Sequence, residues 1–178
     1  MSTPPLPGNI TITRLTSPTE THIAGLADVL RDCVDGGASV SFMAPLAREK
    51  ALAFWRQVAQ GVTQGERALL VAQDAQGIVG TVQLVLAQPD NQPHRADLSK
   101  MLVHRRGRRL GLGAALMRAA EQLARDCGKT LLVLDTVTGG DAERLYARLG
   151  WQRVGVIPDY ALWPRGGLVG TTVFYKAL

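Results

Sequence analysis

A turn rich in glycine and arginine is the part of the sequence best suited to bind an anion. Residues 103–113 read Val-His-Arg-Arg-Gly-Arg-Arg-Leu-Gly-Leu-Gly. The residues before this turn predict a strand, and the alanine- and leucine-rich residues after it predict a helix. A helix N-terminus presents unpaired N–H groups, glycines let a phosphate approach the backbone, and arginines add charged hydrogen bonds. We therefore predict that this turn binds a ligand that carries a pyrophosphate.

Two common phosphate-binding motifs fit the turn poorly. The dinucleotide-binding fingerprint requires a third glycine where Leu116 stands, and the Walker pattern of Gly, four residues and Gly-Lys-Ser/Thr does not occur. The pattern that does occur is Arg-x-x-Gly-x-Gly, at Arg108, Gly111 and Gly113. The turn is therefore a phosphate site of another kind.

The composition is that of one domain with an apolar core. The chain has 178 residues, of which 46% are hydrophobic and 20% charged. We expect the proline-rich residues 1–8, which lack the pattern of a signal peptide, to form a flexible N-terminal arm, and residues 9–178 to form the domain. No apolar run reaches the roughly 18–20 residues that cross a bilayer, so we expect no membrane partner and a cytoplasmic location.

The positive net charge favours an anionic partner but does not identify its chemical class. The formal net charge is +5, with an isoelectric point near 9.7. Cys33 and Cys127 fall within helical patterns and are expected to be reduced, buried thiols. The three histidines lie far apart in the sequence, so no metal site is expected.

The apolar periodicity predicts a mixed α/β domain with a central sheet, in the order β-α-α-β-β-β-α-β-α-β-β. The predicted strands are 10–15, 68–73, 78–86, 95–103, 131–134, 151–156 and 171–175. The predicted helices are 19–34, 45–60, a long helix that ends at 127, and 141–149. Pro45 is expected in the first turn of its helix, Asp141 is expected to cap its own, and 131–134 is expected to be covered on both faces.

Two motifs resemble those of the GNAT acetyltransferase superfamily. The first is Arg108-x-x-Gly111-x-Gly113, which resembles the family's cofactor-binding motif. The second runs from Ala142 through Leu145-Tyr146 to Leu149-Gly150-Trp151 and resembles the family's helix-to-strand signature. The resemblance extends from the first strand to Tyr175. It implies the GNAT fold, an α/β (α+β) domain whose mixed, mostly antiparallel sheet has about six to seven strands and is flanked by about four helices.

The resemblance also implies a cofactor site for acetyl-CoA, with no metal. The cofactor is expected between the fourth and fifth strands, its pyrophosphate on the amides of the turn and its pantetheine along the fourth strand. The implied cofactor-binding residues are Met101, Leu102, Val103, Arg108, Arg109, Leu110, Gly111, Leu112, Gly113 and Ala142.

Catalytic roles follow from the same resemblance. Tyr146 is the expected general acid, which protonates the leaving thiolate. Asp135 and Asp97 are alternative general bases, and a water relay without a dedicated base is a third possibility. The expected substrate-binding residues are Ser39, Phe42, Met43, Asp159 and Tyr160.

The expected partner is a small molecule with an amine or hydroxyl group, since residues 36–43, 134–136 and 154–176 resemble a branch of the family that acetylates an amino-acid toxin. A homodimer is plausible for the family, and no nucleic-acid partner is expected. Two other interpretations stay open. The residues Arg105 to Arg109 suit a nucleic-acid-binding domain, and the same fold suits an acyl-CoA sensor without turnover.

Overall fold

The predicted order of strands and helices is confirmed in the computed structural model, which describes residues 9–178. The proposed arm, residues 1–8, lies outside the described residues. The elements are β1 (Thr11–Leu15), α1 (Glu20–Asp35), α2 (Arg48–Thr63), β2 (Arg67–Asp74), β3 (Gly77–Val85), β4 (Arg95–Val103), α3 (Leu112–Asp126), β5 (Leu131–Val137), α4 (Asp141–Arg148), β6 (Gln152–Leu162) and β7 (Leu168–Ala177). A short 3₁₀ turn, Arg105–Gly107, lies between β4 and α3.

One sheet of seven strands, in the order β1-β2-β3-β4-β5-β7-β6, forms the centre of the domain. All neighbouring strands are antiparallel except β4 and β5. The parallel pair needs a crossover, and α3 supplies it. The mixed, mostly antiparallel sheet and the four helices are those of the predicted fold class.

The helices cover the two faces of the sheet separately. α1 and α2 pack on one face, where Trp55 and Val58 lie against Leu69 and Val71. α3 and α4 pack on the other face, where residues such as Leu116, Ala120 and Tyr146 contact apolar side chains of β3 and β5. Each helix has an apolar stripe that matches its face of the sheet.

α1 begins and ends as predicted, but α2 does not. Thr19 caps α1 with His22 as its reciprocal partner. α2 begins at Arg48 rather than at Pro45, and Ala47 is the residue that caps it. The preceding segment is held by a hydrogen bond from the amide of Ala44 to the carbonyl of Pro164, 2.8 Å long, so the chain is still extended at Ala47.

The second half of the sheet is longer than predicted. β5 reaches Val137, and its burial alternates along the strand instead of being complete on both faces. Most of the loop expected at 157–170 belongs to a long β6–β7 hairpin. Pro158 is tolerated because β6 is an edge strand whose register shifts between Ile157 and Ala161.

Asp141 is not the N-cap of α4. Gly140 occupies that position, and Asp141 is the first helical residue, where it pairs with Arg144. A carboxylate there still lies near the positive end of the helix dipole. The sequence therefore placed the start of α4 correctly within one residue but assigned the wrong capping residue.

A buried ion pair connects α3 to the last strand. Glu121 on α3 accepts hydrogen bonds from Lys176 (2.8 Å) and from the indole of Trp151 (3.0 Å). We expect Glu121→Leu to lower the free energy of unfolding by about 3–5 kcal/mol, because it leaves the Lys176 charge buried without its partner. Urea unfolding measures this loss, with Gln122→Leu on the exposed side of α3 as the control. Equal stabilities for the two variants would contradict the assignment.

Candidate active site

The two parallel strands separate soon after they pair, and a gap opens between them. β4 and β5 are in register only from Arg95–Leu131 to Asp97–Val133. Beyond Asp97 the edge of β4 has no strand partner on that side among residues 9–178, although β4 continues to Val103 and β5 to Val137. The separation of the two strands, which the family resemblance implied, leaves the backbone of β4 beyond Asp97 open to an extended ligand.

The amides of residues 109–114 follow β4 in the chain, beyond the end at which β4 and β5 have separated. Within the described part of the chain, none of them donates a hydrogen bond to another residue, and Gly111 caps α3 without a side-chain contact. Gly111 has a φ of +77°, and a side chain added there would meet no heavy atom within 4 Å. Free amides at a helix N-terminus, beside open space, form an anion-binding cradle. We call residues 109–114 the amide cradle.

The amide cradle lies next to β4 and α4. A Cβ atom added to Gly113 would lie 3.2 Å from Leu145 Cδ2 and 3.9 Å from the thioether of Met101. Ala142 is partly buried in the first turn of α4. Gly113 of the turn, Met101 of β4 and Leu145 of α4 are therefore neighbours in space, whereas Leu112 is buried and Leu110 is exposed.

The arginines of the basic turn do not all face the cradle. Arg105 pairs with Asp32 and Arg106 with Asp74, so both cations are held by carboxylates of the chain. The guanidinium of Arg108 donates to the carbonyl of Val103 at 3.2 Å. Arg109 is exposed, and its φ is +63°. The cradle therefore consists mainly of backbone amides.

A β-bulge at Lys100 in β4 brings this side chain against α2, and Lys100 was not among the predicted site residues. Thr81 pairs with Leu102 while Gln83 pairs with Ser99, so β4 carries an extra residue there, and Lys100 has a φ of +51°. The Lys100 amine donates to the hydroxyl of Ser41 at 3.2 Å. It also lies 5.7 Å from the centre of the Phe54 ring.

Asp135 faces the same side of the sheet, on β5. It is exposed, and its carboxylate accepts a hydrogen bond of 2.8 Å from the hydroxyl of Thr171. Burial lowers the pKa of Lys100, and the charge of Asp135 acts against that decrease, so the two groups are close enough to interact. Asp135 therefore lies near the closed end of the gap, two residues beyond the last β4–β5 pair and on the same side of the sheet as Lys100.

Asp97 lies where β4 and β5 still pair. Its carboxylate accepts hydrogen bonds from Arg95 (2.5 Å) and from Gln88 (3.1 Å). The structure thus gives the two candidate bases different surroundings. Asp135 is free of ion pairs among residues 9–178, whereas Asp97 is held by an arginine.

Tyr146 is buried on the opposite side, within α4. Its ring centre lies 6.1 Å from those of Trp151 and Phe174, which fixes its position. Burial raises the pKa of the Tyr146 hydroxyl, and the nearby charge of Asp135 raises it further. The hydroxyl therefore keeps its proton at neutral pH, and no hydrogen bond joins it to another residue in the part of the chain that the structure describes.

The predicted substrate residues separate into two groups. Phe42 packs edge-on against Phe54, with ring centres 5.2 Å apart, and so lies near Lys100. Ser39 instead donates to the carbonyl of Leu162 at 2.9 Å, which ties its loop to the β6–β7 hairpin. Met43, Asp159 and Tyr160 are exposed. No hydrogen bond or ion pair among residues 9–178 joins these three to the side chains of the gap.

Within residues 9–178, no group of three or more His, Cys, Asp or Glu side chains is placed to hold a metal ion. None of the helices in this range is both long and apolar enough to cross a membrane.

Comparison with known proteins supports the resemblance. Residues 38–151 match the family model "Acetyltransferase (GNAT) family". The chain is 32% identical over 129 residues to an uncharacterized N-acetyltransferase of Azospirillum brasilense, encoded in the hisH-hisA intergenic region. That alignment covers 71% of this chain and 75% of the relative.

Solved structures share the fold. An N-acetyltransferase from Staphylococcus aureus Mu50 superposes with a TM-score of 0.77 at 13% identity, covering 95% of this chain and 98% of the other. A proposed acetyltransferase from Salmonella typhimurium, solved with its cofactor acetyl-CoA, superposes with a TM-score of 0.76 at 20% identity, covering 95% and 94%. With its sheet, its amide cradle and these matches, the chain belongs to the GNAT family of acetyltransferases.

Proposed function

We propose that this protein transfers the acetyl group of acetyl-CoA directly to the amine of a small, amino-acid-like molecule. The observation that carries the proposal is the gap between β4 and β5, which has free backbone amides at one end and Lys100 and Asp135 at the other. Such a gap accommodates an extended cofactor with an anionic end and a reactive end. Family membership and the acetyl-CoA complex of the Salmonella structure support that identity.

The residues present fit acetyl-CoA in chemistry. The amide cradle suits its pyrophosphate, and the unpaired edge of Met101 to Val103 suits its pantetheine amides. Open space beside Gly111 leaves room for a phosphate against the backbone. When bound, acetyl-CoA supplies a thioester, which is the donor of the acetyl group.

The chain supplies the groups that move protons. In this proposal the carboxylate of Asp135 accepts a proton from the acceptor amine, directly or through water, so that the amine attacks in its neutral form. The hydroxyl of Tyr146 keeps its proton at neutral pH because burial raises its pKa, and it can donate that proton to the leaving sulfur. The two groups interact electrostatically, which is consistent with one reaction site.

The acceptor class rests on sequence resemblance. Residues 36–43, 134–136 and 154–176 resemble the tabtoxin resistance acetyltransferase, which acetylates a β-lactam-containing amino-acid toxin. That resemblance favours an amino-acid-like antibiotic or toxin as the acceptor.

The proposed function is tested by measuring the release of coenzyme A thiol from acetyl-CoA. Common amino acids and tabtoxinine-β-lactam are screened as acceptors. An acetylated product identified by mass spectrometry supports it. Tight binding of acetyl-CoA without turnover of any amine would favour the sensor instead.

The surroundings of Asp135 and Asp97 predict which carboxylate acts as the base. We expect Asp135→Asn to lower kcat/KM by about 10- to 100-fold and to weaken its dependence on pH, because the amide cannot accept the proton. We expect a much smaller loss for Asp97→Asn, because that carboxylate is occupied by Arg95. Steady-state rates from acidic to alkaline pH measure both effects. A larger loss for Asp97→Asn would reverse the assignment.

A further inference from the structure

The acceptor end of the gap carries more positive than negative charge. Lys100, Arg67 and Arg95 point to this side of the sheet, and the carboxylates there are Asp97 and Asp135. Arg95 and Asp97 neutralise each other at 2.5 Å. The remaining charges of these five residues are the two positive charges of Lys100 and Arg67 and the negative charge of Asp135.

Neither of these two cations has a close carboxylate partner. Among residues 9–178, no carboxylate oxygen lies within 4.0 Å of the Lys100 amine or the Arg67 guanidinium. Their hydrogen-bond partners are neutral: the Ser41 hydroxyl for Lys100, and the buried amide of Gln83 for Arg67, at 3.0 Å. Partly buried cations are normally paired with an acid.

Neighbouring strands bring the two cations together. Gln83, which holds Arg67, is in register with Ser99, the residue before Lys100. α2 passes directly over Arg67, since a Cβ atom added to Gly61 would lie 3.0 Å from its side chain. The Phe54 ring, also on α2, lies over Lys100. The two cations therefore share one half-covered site under α2.

The surroundings of Lys100 disfavour its charged form. Burial lowers its pKa, and the charge of Arg67 lowers it further, with Asp135 acting in the opposite direction. An anion bound beside Lys100 would oppose both decreases.

We propose that Lys100, assisted by Arg67, binds an acidic group of the acceptor, so that the substrate is an amine that also carries a carboxylate. This inference rests on the proposed function, because it assigns a role within the same acceptor site. The acid lies against the Lys100 amine, and the amine of the acceptor faces Asp135 on the neighbouring strand. Lys100 is thereby a specificity-determining residue.

The test compares acceptors that share an amine and differ in charge. Each common L-amino acid is assayed beside its carboxamide, with acetyl-CoA, in the unaltered protein and in Lys100→Met. Methionine keeps the apolar stem and removes the charge. Arg118→Met, which removes an exposed cation on α3, on the opposite face of the sheet, is the control.

We expect the unaltered protein to prefer the acids. Lys100→Met should lower kcat/KM for the acids by about 10- to 100-fold, the effect of one charged hydrogen bond, and leave the carboxamides nearly unchanged. Lys100→Arg should keep most of the preference, because it keeps the charge. Lys100→Gln replaces Lys100→Met if the latter does not fold.

Other outcomes overturn the inference. If the protein acetylates carboxamides as well as it acetylates acids, the inference is refuted and the proposed function stands. The same holds if Lys100→Met lowers kcat/KM equally for acids and carboxamides. If no amine is acetylated, the proposed function fails, and binding decides the inference separately. The Tm of the coenzyme A-saturated protein is then measured with amino acids and with their carboxamides. A rise in Tm with the amino acids alone, which disappears in Lys100→Met, supports the anion site. Equal rises with both kinds of compound overturn it.

Discussion

Gly111→Val is expected to abolish the binding of coenzyme A. At a φ of +77°, a β-branched residue is strained, and its side chain would project into the open space beside the amide cradle. The pyrophosphate would then lose its approach to the backbone amides. We expect the Kd for coenzyme A to rise by at least about 100-fold, the equivalent of two charged hydrogen bonds. Isothermal titration calorimetry at constant salt measures the change.

Gly128→Val separates the loss of binding from backbone strain. Gly128 follows the other end of α3, has a φ of +72°, and also has no heavy atom within 4 Å of an added Cβ. Both substitutions should therefore cost a similar free energy of unfolding, about 1–2 kcal/mol. Only Gly111→Val should lose the ligand. Equal affinities in the two variants would mean that the pyrophosphate binds elsewhere.

Tyr146→Phe is expected to lower kcat by about 100- to 1,000-fold while the affinity for acetyl-CoA changes little. The ring stays packed against Trp151 and Phe174, and the change removes only the hydroxyl that donates the proton. Because burial raises the pKa of this hydroxyl, it is protonated from about pH 6 to about pH 9, so the loss should be constant over that range. Stopped assays of product formation, with separate titration of acetyl-CoA, test both parts.

Tyr175→Phe is the matched control for this prediction. Tyr175 lies on β7 and is 41% exposed, so loss of its hydroxyl should leave both rate and affinity unchanged. If Tyr146→Phe retains full activity, Tyr146 is a packing residue and the leaving sulfur takes its proton from another source.

The fold was largely predictable because its apolar patterns are strong. β4 has the predicted bounds, and the β2–β3 hairpin has the predicted turn. The errors arise where distant contacts override a local preference. Pro45 favours a helix start, but the segment beside it is bound to Pro164. The loop predicted around Pro158 is strand because β7 pairs along nearly its whole length.

Only the backbone part of the candidate site, the turn with free amides, was predictable from the sequence. The turn of free amides follows from glycines and a helix start, both visible in the sequence. The partners of Arg105 and Arg106 are not visible, because Asp32 and Asp74 are distant in the sequence. For Lys100 there was one signal: Ser99 and Lys100 are adjacent polar residues that interrupt the alternation of β4, as at a bulge.

The short pairing of β4 with β5 leaves the two halves of the sheet joined by few strand-to-strand hydrogen bonds. The sheet consists of two antiparallel blocks, β1 to β4 and β5 to β7, and between the strands themselves only the pairs from Arg95–Leu131 to Asp97–Val133 join them. A molecule seated between the blocks hydrogen-bonds to one and packs on the other, and so acts as a brace. Since ligand binding to the native state adds its own free energy to folding, we expect the Tm of the protein to rise with the concentration of that molecule.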